Sequence, residues 1–241
     1  MTTPSFIAPP ALLWPFETPA PGLRLALADF DPAHFDDDDF ARHGVTRSAS
    51  LARAVTKRRA EYLAGRLCAR TALEALGLEA GPLDSLADRQ VAWPDGACGA
   101  ITHSRNLAGA LVGGREAYRG AGLDAEQWLT PERASRLADA ILLKEERRRF
   151  EALTPSPLAR AVTLGFSLKE SLFKALYPIT GVRFYFHDAC IEELNVCAPA
   201  GRCRLVLRHG LTPDWPAGCA LEGIFCEYAG QALTAVLIER S

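Results

Sequence analysis

The sequence contains no Cys-x-x-Cys pair. Its seven cysteines, at 68, 98, 190, 197, 203, 219 and 226, form an odd set, and no histidine stands at zinc-finger spacing from any of them. That excludes a zinc ribbon and a disulfide framework and leaves reduced, mostly buried thiols. No uncharged apolar run approaches the about 18 residues of a membrane helix. The opening Met-Thr-Thr-Pro-Ser, followed by Pro9, Pro10, Pro15, Pro19 and Pro21, lacks the basic start and apolar stretch of a signal peptide, so a cytoplasmic protein is expected. No G-x-x-x-x-G-K-[ST] loop is present, which removes the P-loop nucleotidyl and phosphoryl transferases. There is no short-period repeat and no strong charge imbalance. A net charge of −2, from 27 Lys+Arg against 29 Asp+Glu, argues against wholesale nucleic-acid binding and leaves only local basic patches to be sought.

What is present is ordinary for a folded enzyme: 241 residues, 49% hydrophobic and 23% charged, enough for one large α/β domain or two lobes. Leu23 to Phe30 reads as a strand. The acidic run Asp36 to Asp39 beside Pro32 reads as a solvated loop or helix start rather than a metal site. Residues 51 to 77 have helical spacing, no proline, and a capping glycine at Gly77. Trp93-Pro94-Asp95-Gly96 is a turn, and residues 99–104 and 108–113 predict a hairpin across Arg105-Asn106. A boundary just before Gly122 separates lobes 1–121 and 122–241. The second lobe is expected to hold a charged helix over 137–153, a helix over 167–176, and strands near 184–194, 203–208, 219–228 and 232–238.

Chemistry concentrates in four segments. In Leu123-Asp124-Ala125-Glu126, strand alternation puts both carboxylates on one face. Two adjacent acids are tolerated where solvent, a base or a cation offsets them, and a hard divalent ion such as Mg²⁺ is the economical solution. In Phe166 to Leu176, Glu170 and Lys174 lie one turn apart with Lys169 beside them. Such a pair is usually surface decoration, but Phe166, Leu168, Leu172, Phe173 and Leu176 leave this helix little surface to decorate. Glu170 could complete a metal shell or take a proton from a hydroxyl, with Lys169 and Lys174 neutralising phosphate oxygens. Thr102, His103 and Ser104 end a strand with groups able to bond a phosphate. On the long helix, Arg59, Arg66 and Arg70 share a face with Arg58 a quarter turn away, where a terminal phosphate could be clamped.

Taken in order, Lys57-Arg58-Arg59-Ala60-Glu61-Tyr62-Leu63-Ala64-Gly65-Arg66, then Trp93-Pro94 with Ile101 to Ser104, Gly122 to Glu126, and Phe166 to Ala175 resemble the Sfp-type 4′-phosphopantetheinyl transferases, the enterobactin synthetase component D-like group. The pairing of G-[LI]-D-A-E with F-S-x-K-E-x-x-x-K some forty residues later is the specific part, and the likeness spans roughly residues 50 to 180. The resemblance implies a pseudo-twofold α/β (α+β) fold of two lobes, each a small sheet on a long helix, with coenzyme A in the cleft between them. It implies that Asp124 and Glu126 hold Mg²⁺, with Mn²⁺ as a substitute, and that Glu170 is the third ligand or the base. Arg58 and Arg66 would hold the 3′-phosphate, joined by Thr102 and His103, with Arg59 a further coenzyme A contact, while Lys169 and Lys174 would contact the pyrophosphate. Arg89, in the loop before the Trp-Pro turn, matches a nucleotide-contacting basic residue without fixed spacing. The implied reaction moves the phosphopantetheine arm onto a serine of an acyl, aryl or peptidyl carrier protein, an acidic helical partner, with release of 3′,5′-ADP. A monomer acting on neither nucleic acid nor membrane is the expectation. A non-catalytic relative that only binds coenzyme A or carrier is the alternative, and the presence of all three carboxylates and both lysines argues against it.

Overall fold

The computed structural model describes residues 5–88, 90–151 and 155–240, which form two compact units. The first takes the chain up to Trp14, Ala20–Arg119 and the C-terminal end from Arg240; the second takes Pro15–Pro19 and Gly120–Glu239. The division falls inside one strand, so a single extended segment belongs to both units. The mixed α/β composition expected from the sequence is what the structure shows.

In the first unit β1 (Ala11–Leu12), β2 (Leu23–Asp29), β3 (Ala97–Ser104) and β4 (Leu107–Gly114) form an antiparallel sheet in the order β1-β2-β4-β3. The β3-β4 hairpin turns through Arg105, whose φ of 51° is a left-handed conformation allowed by the tight reversal. A single-turn helix, α1 (Asp39–Arg42), uses the acidic run as its start: Arg42 pairs with Asp36 and Asp39. The long helix α2 (Thr56–Glu74) lays Ala60, Leu63, Ala64, Leu67 and Cys68 into the core against the sheet. It begins five residues later than its apolar spacing predicts, because residues 49–51 form a 3-10 turn and Val55 is extended with ψ 156°. Gly77, at φ +73°, ends it as expected.

The second unit holds β5 (Tyr118–Gln127), β6 (Ala189–Leu194), β7 (Ala200–Leu207), β8 (Ala220–Tyr228) and β9 (Gln231–Glu239), in the order β5-β9-β8-β7-β6. Three helices accompany it: α3 (Pro131–Ile141), α4 (Lys144–Glu151) and α5 (Pro155–Thr180). Leu164, Leu168, Leu172 and Leu176, spaced by four on α5, pack on Leu205, Phe225 and Val236. A buried hydroxyl cluster pins the same helix to β9: Ser167 and Ser171 both bond Thr234 Oγ1, at 2.9 and 2.8 Å, and Ser171 also donates to the Thr234 carbonyl.

Three expectations change here, the first being that the helix expected over 167–176 is only part of α5, which starts at Pro155. The helix predicted over 137–153 is two helices, because Leu142 is extended at ψ 142° and the Glu146 carboxylate accepts from Leu143 N–H to start α4 afresh; Leu153 lies outside the described residues. The strand predicted from 184 begins at Ala189, since Asp188 accepts from Tyr185 N–H and closes a 3-10 turn over Phe186–Asp188. All seven thiols are free, and burial pushes those of Cys68, Cys203 and Cys226 up to about 12, which makes them inert packing groups.

Candidate active site

In the second unit β5 passes against the backbone of α5. A Cβ on Gly122 would sit 1.8 Å from the Ser171 carbonyl oxygen, and one on Gly120 would sit 2.5 Å from that of Ala175. Only glycine permits this approach. It carries the strand's acids to the helix: Lys174 Nζ bonds Asp124 Oδ1 at 2.6 Å and the Leu123 carbonyl at 3.1 Å. Asp124 is buried, and Leu123 and Ala125 on the other face are fully so. The Glu126 carboxyl is pushed up to about 7, first by burial and then by the charge of Asp124, with Glu170 adding to the push and Lys174 opposing it. Glu170 is raised for the same reasons, burial first, with Lys174 pulling it down and Asp124 pushing it up. The charges of Asp124 and Glu170 both raise the Glu126 carboxyl, and that of Asp124 raises Glu170.

Among the described residues no three His, Cys, Asp or Glu side chains are drawn together as a ready metal shell. The physical reason is visible: one Asp124 oxygen is engaged by Lys174, and like charges without a cation do not converge. The donor set itself, three carboxylate groups that offer hard oxygen ligands once ionised, suits a divalent ion such as Mg²⁺.

Lys169 takes a different path from its neighbours on α5. It is 2% exposed; its Nζ donates to Glu146 Oε2 at 2.8 Å and to the Ile141 carbonyl at 3.0 Å. Burial pushes its pKa down while Glu146 holds it up. Lys169 and Glu170 line a cavity of about 220 Å³ whose other walls are Phe173, Arg183, Phe184, Tyr185 and Phe186. Phe173 stacks on Tyr177 at 5.0 Å and meets Phe184 at 5.4 Å, so one side of this cavity is a rigid aromatic wall.

The first unit carries a larger cavity, about 690 Å³, lined by Arg58, Glu61, Tyr62, Arg66, Ser85, Ile101 and His103 among others. Arg58 Nη1 lies 2.6 Å from His103 Nε2. Arginine can only donate, so Nε2 accepts and the ring proton sits on Nδ1, facing the Glu61 carboxylate at 3.6 Å. Glu61 also stands 3.5 Å from Arg58. The other arginines are engaged elsewhere. Arg66, over the Tyr62 ring, donates to the Leu83 carbonyl and to Ser85 Oγ. Arg59 pairs with Asp37 and bonds the Ala54 carbonyl, and Arg70 bonds the His43 carbonyl. Thr102 is buried, and strand alternation turns it to the opposite face of β3 from His103. Arg89 lies outside the described residues. Sequence reasoning singled out neither Glu61 nor Glu146. The first was visible as the i+3 partner of Arg58; the second had only the weak signature of an acid in a helix's first turn.

Comparison with known proteins gives two matches along the chain. Residues 46–113 match the 4′-phosphopantetheinyl transferase N-terminal domain, and residues 120–229 match the 4′-phosphopantetheinyl transferase superfamily. The 4′-phosphopantetheinyl transferase PptT of Mycobacterium tuberculosis is 36% identical over 191 residues, covering 78% of this chain and 82% of that protein. Enterobactin synthase component D of Salmonella typhi is 38% identical over 165 residues, covering 66% of this chain and 65% of the relative. The 4′-phosphopantetheinyl transferase Svp of Streptomyces mobaraensis is 39% identical over 170 residues, covering 68% and 65%. The chain thus spans just under two thirds of the length of the latter two.

Proposed function

The chain belongs to the 4′-phosphopantetheinyl transferase superfamily, enzymes that move the 4′-phosphopantetheine arm of coenzyme A to carrier proteins, and from that premise we propose how its own residues divide the work. Asp124 and Glu126 hold a divalent ion, Mg²⁺, and Glu170 completes the acidic set and receives the proton of the carrier serine. Arg58 and His103 take the 3′-phosphate of coenzyme A, and Lys174 the pyrophosphate. The two lobes are the functional halves of this scheme, nucleotide contacts in the first and chemistry in the second. The observation that supports it most directly is the glycine-permitted contact of β5 with α5, which puts Asp124 and Glu126 in electrostatic reach of Glu170 and Lys174.

In the reaction, the serine hydroxyl forms a bond to the β-phosphorus, the bond to 3′,5′-ADP breaks, and the hydroxyl proton goes to Glu170. When bound, the ion offsets charge on the pyrophosphate. Glu170 is suited to the proton because burial raises its pKa above the ordinary carboxylate value, and it borders the aromatic cavity, whose size and lining suit the amphipathic pantetheine arm. Were Asp124 to hold a divalent ion, the Lys174 ammonium that now bonds it would be available to phosphate oxygen. Arg66 stiffens the wall of the nucleotide cavity through Leu83 and Ser85. No helix of the described residues is long and apolar enough to cross a membrane; a cytoplasmic monomer serving acyl, aryl or peptidyl carriers is part of this reading.

The test is mass spectrometry of an apo carrier protein after incubation with coenzyme A and Mg²⁺. A gain of about 340 Da that is lost with Asp124→Ala and with Glu170→Ala supports the scheme. Coenzyme A binding without any mass gain by the unaltered chain would instead identify a non-catalytic relative.

A further inference from the structure

Glu146 is 0% exposed, yet both of its carboxylate oxygens are engaged. Oε1 accepts from Ile191 N–H at 2.5 Å, and Oε2 accepts from Leu143 N–H at 2.6 Å and from Lys169 Nζ at 2.8 Å. One side chain thereby joins the start of α4, the N-terminal half of β6 and the middle of α5. A helix cap needs less than this: glutamine at the same position would reach back to the Leu143 N–H equally well. Joining two charges in a dry interior is also no cheap route to stability, since removing an ion pair in favour of apolar packing is often neutral or stabilising. The chemistry of the lysine suggests a use. An ammonium has three donors, and two are accounted for here, by Glu146 and by the Ile141 carbonyl. Lys169 also lines the aromatic cavity, one residue before Glu170.

We propose that Glu146 is a positioning residue acting through Lys169: by holding the ammonium it fixes the turn of α5 that carries Glu170 to the wall of the aromatic cavity. Lysine is otherwise a flexible point charge on a four-carbon stem. Bonded to one carboxylate and one carbonyl, its head has a single location, and the backbone of Glu170, the next residue on α5, is held with it. The orienting is done before the substrate arrives, which is where positioning lowers a barrier.

This rests on the transferase reading, and a mutant cycle on the full chain tests it with that reading as an internal control. kcat and KM for coenzyme A are measured with an apo carrier protein for the unaltered chain, Glu146→Gln, Lys169→Met and the double variant, each well below its own melting temperature. If Glu146 acts through Lys169, each single change lowers kcat/KM about tenfold or more, and the double variant falls no further than about twofold below the worse single. A residue that merely stabilised the fold would lower the melting temperature and leave kcat/KM of the folded enzyme within about twofold, which overturns the proposal; so do losses that multiply in the double variant. Should Glu146→Gln not fold, Glu146→Asp takes its place in the cycle, because it keeps the charge but is one methylene short of spanning Leu143, Ile191 and Lys169 together. An unaltered chain that transfers nothing would sink the transferase reading instead.

Discussion

Glu126 is the residue whose chemistry depends most on its neighbours. Its carboxyl, ordinarily near 4.5, is raised to about 7, so the folded chain binds that proton more tightly than the unfolded chain does. The stability this adds is complete below 4.5 and disappears as the pH rises through 7. Without metal, the melting temperature should therefore fall between pH 5 and pH 8 in a calorimetric scan. Added Mg²⁺ should raise it at pH 8, where Glu126 is ionised, and have little effect at pH 5, where a proton occupies the same oxygen. Equal stabilisation by Mg²⁺ at both pH values would show that Glu126 is no ligand. The pairing of Asp124 with Glu126 on one face was legible in the sequence, because a period of two follows from the strand alone. That Glu126 would titrate near neutrality was not, since burial and the charge of Glu170 come from elements distant in the chain.

At the scale of elements, the contact of β5 with α5 decides whether the acids meet the helix. Gly122→Ala would place a methyl group 1.8 Å from a backbone carbonyl, which no rotamer change relieves. We expect a loss of about 3 kcal/mol in urea denaturation together with loss of transfer. Gly81→Ala, where an added Cβ meets nothing within 4 Å, should be close to neutral in the same assay and serves as the control. The apolar spacing of α2 and α5 and the turn chemistry at Trp93 to Gly96 and Arg105-Asn106 were readable because helix period, hairpin and cap are local properties. The break between α3 and α4 was not. It depends on Glu146 meeting Leu143 and Ile191, and Ile191 arrives from a strand 45 residues further on. The helix over 167–176 was read too short: α5 runs to Thr180 across Pro178, accepting the loss of one backbone bond to the Lys174 carbonyl near its end.

For the whole molecule, the first unit's basic cavity predicts discrimination at the far end of the substrate. Arg58→Ala should raise KM for coenzyme A about tenfold, the worth of one charge-assisted bond to phosphate, while leaving KM for dephospho-coenzyme A unchanged. An equal rise for both substrates would mean that Arg58 does not touch the 3′-phosphate. The sequence by itself determined the mixed α/β class, the family, and the order in which its motifs follow one another, because spacing within a strand or a helix turn assigns residues to faces. It also supplied an excess of cations: four arginines on α2 and two lysines on α5 were equally plausible phosphate ligands by position. Only the tertiary structure separated them. Asp37, Leu83, Ser85 and His43 take up Arg59, Arg66 and Arg70, and leave Arg58 beside His103; Glu146 takes up Lys169, and Asp124 takes Lys174. A long side chain reaches whatever acceptor folding brings within about 3 Å, and those acceptors lie on other elements, where no local period can announce them.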